Sequence, residues 1–134
     1  MKINWYADRC INEAEKVRKS ALTKAALVVV REAKSSIGDT GIRGATKSER
    51  RKYRSKPGEP PHRDTGTLLR GIGYELVGND TARVGVKKAV KYGYWLEYGT
   101  SKKDGTSKMA PRPFLRPALA KSRKKIVKIF KDVF

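Results

Sequence analysis

The stretch Ile72-Gly73-Tyr74-Glu75-Leu76-Val77-Gly78-Asn79-Asp80-Thr81-Ala82-Arg83-Val84-Gly85-Val86 decides the fold class. Two runs rich in β-branched and aromatic residues flank Gly78-Asn79-Asp80. A short connection of glycine and Asn/Asp between such runs predicts a β-hairpin, with strands over 72–77 and 81–86. The sequence on either side of it has a different rhythm.

Toward the N-terminus, Ile3, Ala7, Cys10, Ala14, Val17, Ala21, Ala25 and Val28 recur at spacings of three and four, with Ile11 and Leu22 widening the stripe. That period puts them on one face of a long amphipathic helix, roughly residues 3 to 36. The β-branched run Leu27-Val28-Val29-Val30 lacks turn signals at its borders and stays within the helix. Gly38 is placed to end it in a left-handed cap. Cys10, among small apolar residues, reads as a small buried hydrophobe.

Toward the C-terminus, Phe114, Ala118, Leu119, Ser122, Ile126, Ile129, Phe130 and Val133 form a second helical stripe, over about 113–133. Pro113 and Pro117 are compatible with a helix only in its first turn, which moves the regular start toward Leu115. Lys121, Lys124, Lys128 and Lys131 share a separate face at the same spacing. Residues 90–98 read as a strand or a short helix, since aromatic density suits both. The expected architecture is α+β: an antiparallel sheet of three to four strands, covered on one face by the long N-terminal helix and the C-terminal helix.

Residues 38–64 read as a flexible basic loop and 100–112 as a mobile one, within a single domain over 1–134. The first holds several glycines, a basic run from Lys47 to Lys56, and the closing Pro57, Pro60 and Pro61. Thr65-Gly66-Thr67 precedes a short turn or single helical turn, capped by Asp64 or Thr65.

Composition narrows function more than it narrows fold. In 134 residues, 32 Lys+Arg stand against 13 Asp+Glu, a formal net charge of +19 that draws the chain toward polyanions or acidic protein surfaces. Residues 101–134 alone carry +9 of that excess. A single cysteine excludes an internal disulfide and a cysteine metal cluster. No run approaches a membrane span, and the N-terminus lacks the order of a signal peptide, so synthesis and assembly in the cytoplasm are expected.

A catalytic constellation is not visible. His62 is the only histidine and lies in Pro60-Pro61-His62-Arg63-Asp64, a segment with the look of exposed surface. Asp64, Glu75 and Glu97 show no spacing for paired acid–base work. The glycines of Gly41-Ile42-Arg43-Gly44 and Gly71-Ile72-Gly73 do not make a phosphate loop. Glu97, between aromatics and just before Gly99-Thr100, is suited to accept backbone N–H bonds or to pair with an arginine. No enzyme activity, cofactor or metal is expected. The cations at 47–56, with Tyr53 among them, and the lysines of the last helix suit sequence-independent phosphate contact, although no zinc finger or helix-turn-helix spacing accompanies them.

Three blocks carry a family resemblance. They are Pro57-Gly58-Glu59-Pro60-Pro61 with Asp64-Thr65-Gly66-Thr67-Leu68-Leu69-Arg70-Gly71-Ile72; Tyr92-Gly93 through Glu97-Tyr98-Gly99-Thr100; and Met109-Ala110-Pro111-Arg112-Pro113-Phe114-Leu115-Arg116-Pro117-Ala118. In this order they resemble the neck, tail-completion or head–tail joining (minor tail) proteins of long-tailed double-stranded DNA phages and prophages. The resemblance covers residues 57–119. Gly71 stands where such proteins often have serine, and Gly93 where alanine is common. It implies a non-enzymatic virion subunit forming an oligomeric ring at the head–tail junction or upper tail, made in the host cytoplasm. Its partners would be copies of itself and neighbouring neck or tail proteins, with no membrane. Contacts to those partners are expected from Arg50, Arg51, Lys52, Tyr94, Trp95, Glu97, Tyr98, Arg112 and Phe114. Phosphate contact is expected from Lys121, Lys124, Lys128 and Lys131. The alternative is a general, sequence-independent nucleic-acid-binding protein.

Overall fold

The computed structural model describes residues 7–39 and 46–134. Its longest element is helix α1 (Ala7–Ser36). The expected helical positions before Ala7 lie outside the described residues. Chain order then runs through β1 (Gly38–Asp39), α2 (Lys47–Lys52), β2 (His62–Arg63), α3 (Thr67–Gly71), β3 (Ile72–Val77), β4 (Thr81–Val86), α4 (Tyr92–Tyr98), β5 (Thr100–Ser101), β6 (Ser107–Met109) and α5 (Leu115–Val133). The class is α+β, with a long helix at one end and a second helix at the other.

The hairpin forms as its sequence dictates. Strands β3 and β4 pair antiparallel from Ile72↔Val86 to Val77↔Thr81, and Gly78 supplies a positive φ of 64° in the turn. The expected sheet of three to four strands is corrected. Among the described residues this sheet has two strands, and β1–β2 and β5–β6 are separate short ladders, the former parallel. The third-strand candidate, 90–98, is helical instead. Gly93 and Glu97 face inward together while Trp95 between them is exposed, a pattern that a helical period allows and strand alternation does not.

Helix α1 packs on both strands and lies along α5. The core unites Val29, Val30, Ala33 and Ile37 of the first helix with Leu68, Ile72, Val90, Phe114 and Ala118. Small residues permit the close helix pairing: Ala21, Ala25, Ala118 and Ser122 are all buried. Ser122 Oγ finds no hydrogen-bond partner there, so it serves by its size.

Burial along α1 is uneven. From Ala21 onward its inner face is covered, whereas residues 8–20 are exposed or half-exposed throughout. Cys10 is exposed, against the expectation of burial. Among the described residues the hairpin turn meets this half: Arg18 bonds Asp80, and Asn79 Nδ2 donates to Glu15 at 3.4 Å. Gly38 does not take the left-handed cap, since its φ is not positive. The end of α1 is tied instead by Ser35 and Ser36 hydroxyls donating to the carbonyls of Glu32 and Ala33, and Gly38 pairs with His62.

Residues 46–64, read from sequence as part of a loop, contain α2 and β2. Thr46 and Glu49 cap α2 reciprocally: the Thr46 N–H donates to Glu49 Oε2 at 2.8 Å, and the Glu49 N–H to Thr46 Oγ1 at 3.4 Å. Gly58 N–H donates to Pro111 O at 2.9 Å and Arg112 Nε to Ser55 O at 3.1 Å, fastening this segment to the 107–114 region. The N-cap of α3 is Gly66, at φ 81°, with no side-chain cap, so neither Asp64 nor Thr65 fills that place.

Candidate functional site

Helix α4 is short, and one carboxylate governs its placement. Glu97 is 3% exposed. Its Oε2 accepts the N–H of Phe114 at 2.8 Å and of Leu115 at 3.0 Å, and its Oε1 accepts the N–H of Arg116 at 3.0 Å. These are the unpaired donors at the start of α5, whose own N-cap residue, Phe114, provides no side-chain cap. A negative charge at a helix N-terminus is also favoured by the helix dipole. One buried side chain of α4 therefore caps the last helix from outside it.

Two further contacts complete the joint. Arg112 N–H donates to Leu96 O at 2.6 Å. Gly99, at φ 75°, turns the chain out of α4, and a Cβ there would meet Met109 O at 2.6 Å. Only glycine fits such a position. On the inner side, a Cβ on Gly93 would meet Val86 Cγ2 at 3.0 Å, so the helix lies close on β4.

The opposite face of α4 is aromatic and open to solvent: Tyr94 is 66% exposed, Trp95 50% and Tyr98 55%. The Tyr94 and Tyr98 rings lie with centroids 4.8 Å apart. Arg116 stands over the Tyr98 ring at 4.5 Å, and its Nε lies 3.4 Å from Glu97 Oε1. Clustered exposed aromatics on a rigidly held element are characteristic of contact surfaces.

The structure thus groups Tyr94, Trp95, Glu97, Tyr98, Arg112 and Phe114 around one joint, with different parts for each. Tyr94, Trp95 and Tyr98 are outward and Arg112 half-buried, while Glu97 and Phe114 are buried within the chain. Arg50, Arg51 and Lys52 belong to α2 at a different place in the chain. Lys52 is exposed, and the side chains of Arg50 and Arg51 lie outside the described residues. On α5, Lys124, Lys128 and Lys131 are exposed, and Lys121 Nζ lies 4.0 Å from Glu32 Oε1. His62 is on the surface, its Nδ1 2.6 Å from Tyr53 O.

Sequence reading did not anticipate the groove beside the aromatic face. A space of about 640 Å³ opens between α1, β4, α4 and α5, with Leu22, Val84, Tyr94, Leu119, Ile126 and Phe130 on its walls. The signal was present in Leu119 and Phe130, which sit at the edge of the α5 stripe rather than its centre. Among the described residues, no three His, Cys, Asp or Glu side chains come together to hold a metal. No described helix is long and apolar enough to cross a membrane.

The scaffold is α+β, and its short helix α4 is clamped through Glu97 with an aromatic face turned outward. The family model described as "Bacteriophage HK97-gp10, putative tail-component" matches residues 2–99. The chain belongs to this HK97-gp10-like family, which supports a structural role in a phage tail and a place in the virion. The match takes in α1, where the motif blocks gave no resemblance, and stops before the block at 109–118. No curated protein and no solved structure matches the chain.

Proposed function

We propose that this protein is a ring-forming subunit at the phage head–tail junction or upper tail, where it completes the tail or joins it to the head. The observation that carries the reading is the exposed Tyr94-Trp95-Tyr98 face, held in place by the Glu97 clamp, in a member of a tail-component family. A surface fixed before binding loses little freedom on assembly, which favours repeated, specific contacts. A closed ring requires two different patches on each subunit. The α4 face and the 101–112 segment next to it supply part of one.

On this reading the protein does its work without catalysis, and the basic α2 region with Arg50, Arg51 and Lys52 meets acidic surfaces of neighbouring neck or tail proteins. The exposed lysines of α5 favour a second reading, sequence-independent contact with DNA, in the same particle or alone.

The test is electron microscopy of lysates from a phage or prophage with this gene deleted. Filled heads accumulating beside separate tails are expected. Normal joined particles would overturn the joining role.

A further inference from the structure

A second cavity, of about 630 Å³, lies between the 47–69 segment and helix α4 with Met109 and Arg112. Its charged lining is Lys47, Arg54, Arg63 and Arg112 against Asp64, a net +3 with His62 neutral. Leu69, Leu96 and Met109 add half-buried apolar surface to the same walls. At Gly66, also on the wall, a Cβ would lie 3.2 Å from Arg70 Nη1 and 3.3 Å from Arg63 Nε, so two guanidinium groups close over one glycine.

Arg112 is the cation that the fold positions most firmly. It is half-buried, and its Nε donates to Ser55 O at 3.1 Å, which leaves the outer N–H groups of the fork for another acceptor. Among the described residues no carboxylate pairs with Arg112, Arg54, Arg70 or Lys47. A guanidinium drawn partly out of water without a counter-charge is costly, and an arriving anion relieves that cost. Residues 1–6 and 40–45, outside the described part, carry Lys2 and Arg43 and no carboxylate. Counting Asp39 as well, whose side chain lies outside the described residues, the cations of the cavity still outnumber the carboxylates.

We infer that this cavity receives an acidic peptide segment of a neighbouring tail protein, seating carboxylates against Arg112 and Arg54 and an apolar side chain against Leu69, Leu96 and Met109. The inference rests on the reading that the basic α2 region meets acidic neighbours, and it names the place and the chemistry. Two arguments choose this occupant. A second copy brings a chain of +19, in which Glu13, Glu32, Glu49, Asp80, Glu97 and Asp104 already hold partners of their own. A DNA duplex presents its phosphates on a convex rod and has no apolar side chain to place in a cavity, whereas an extended peptide supplies both parts.

The probe is a short fluorescein-labelled peptide of alternating glutamate and leucine, and anisotropy at about 150 mM salt follows its binding to the full chain. Arg112→Gln and Arg54→Gln are each expected to weaken binding about tenfold, through loss of a charge-assisted hydrogen bond. Lys124→Gln, the same charge change on α5, should cost about twofold or less. No ion pair or hydrogen bond holds the Arg54 side chain within its own chain, so that variant tests the site even if Arg112→Gln loosens the segment tied at Ser55. A peptide with serine in place of leucine should bind more weakly.

A loss at Arg54 no larger than at Lys124, or equal binding of the serine peptide, would overturn the site in favour of diffuse attraction. A random duplex that displaces the peptide and shares its dependence on Arg54 and Arg112 would overturn the peptide in favour of phosphate. The deletion phenotype is read separately. Separate heads and tails without site-dependent peptide binding would remove this site alone, and normal joined particles would remove the joining role whatever the peptide does.

Discussion

Glu97 concentrates more of the structure's logic than any other side chain. Its carboxylate accepts three backbone N–H groups of α5 at 2.8–3.0 Å while almost wholly buried. Removing it strands those donors without water to replace it. Glu97→Ala is expected to lower stability by about 3 kcal/mol, the cost of several unsatisfied buried groups after partial relaxation. Glu97→Gln, which keeps an acceptor but loses the charge, should cost less. Urea denaturation of the full chain checks both, and equal stability of the alanine variant would remove the clamp as an energetic feature. Gly99 belongs to the same joint, since its positive φ and the nearby Met109 carbonyl leave no room for a side chain.

At the scale of elements, α2 depends on a reciprocal cap that can be titrated. The Thr46 hydroxyl and N–H hold the Glu49 carboxyl below its ordinary value of 4.5. A depressed folded value means that this contribution is complete above the ordinary value and is lost as pH falls through the depressed one. An NMR titration should place the Glu49 midpoint below 4.5, and Thr46→Ala should return it to the ordinary range. An unchanged midpoint in that variant would show that the cap does not act on the carboxylate. This element also shows where sequence reading stopped. Thr46 and Glu49 have the spacing of a capping box, yet the surrounding glycines, prolines and cations outweighed it. The hairpin was fully legible, because alternation and a Gly-Asn-Asp turn agree with each other. The last helix was legible to within two residues, from its period and its prolines. Helix α4 was not: β-prone aromatics hide the Gly93–Glu97 pair that faces inward. The capacity of Glu97 to accept backbone N–H groups was readable, but its partners, seventeen to nineteen residues away, were not. Burial of Cys10 was misjudged because a period reveals a face and not what covers it.

For the whole molecule the dominant quantity is charge. At +19, association with any polyanion is expected, so affinity for DNA by itself distinguishes nothing. Its salt dependence does. If α5 lysines only meet phosphates non-specifically, binding to a random duplex, followed by fluorescence anisotropy, should weaken by orders of magnitude between about 50 and 200 mM salt. Changing Lys124, Lys128 and Lys131 to glutamine should reduce the steepness of that loss. Tight binding that persists at high salt would favour the nucleic-acid reading over acidic protein neighbours. Among the described residues, most cations of α5 lie on the side turned away from α1, so the fold does not consume the charge.

The Glu97 carboxylate touches α5 chiefly through its main chain. It lies two residues before the family match ends, and what it holds lies beyond that end. An anchor that reads peptide N–H groups is indifferent to the lettering of the helix it anchors. The outward residues of α5 can therefore be rewritten, lysine for glutamate or apolar for polar, without redesigning the socket. The molecule behaves as a fixed chassis with an exchangeable outer bar, and a new neighbour could be accommodated by changing the bar alone.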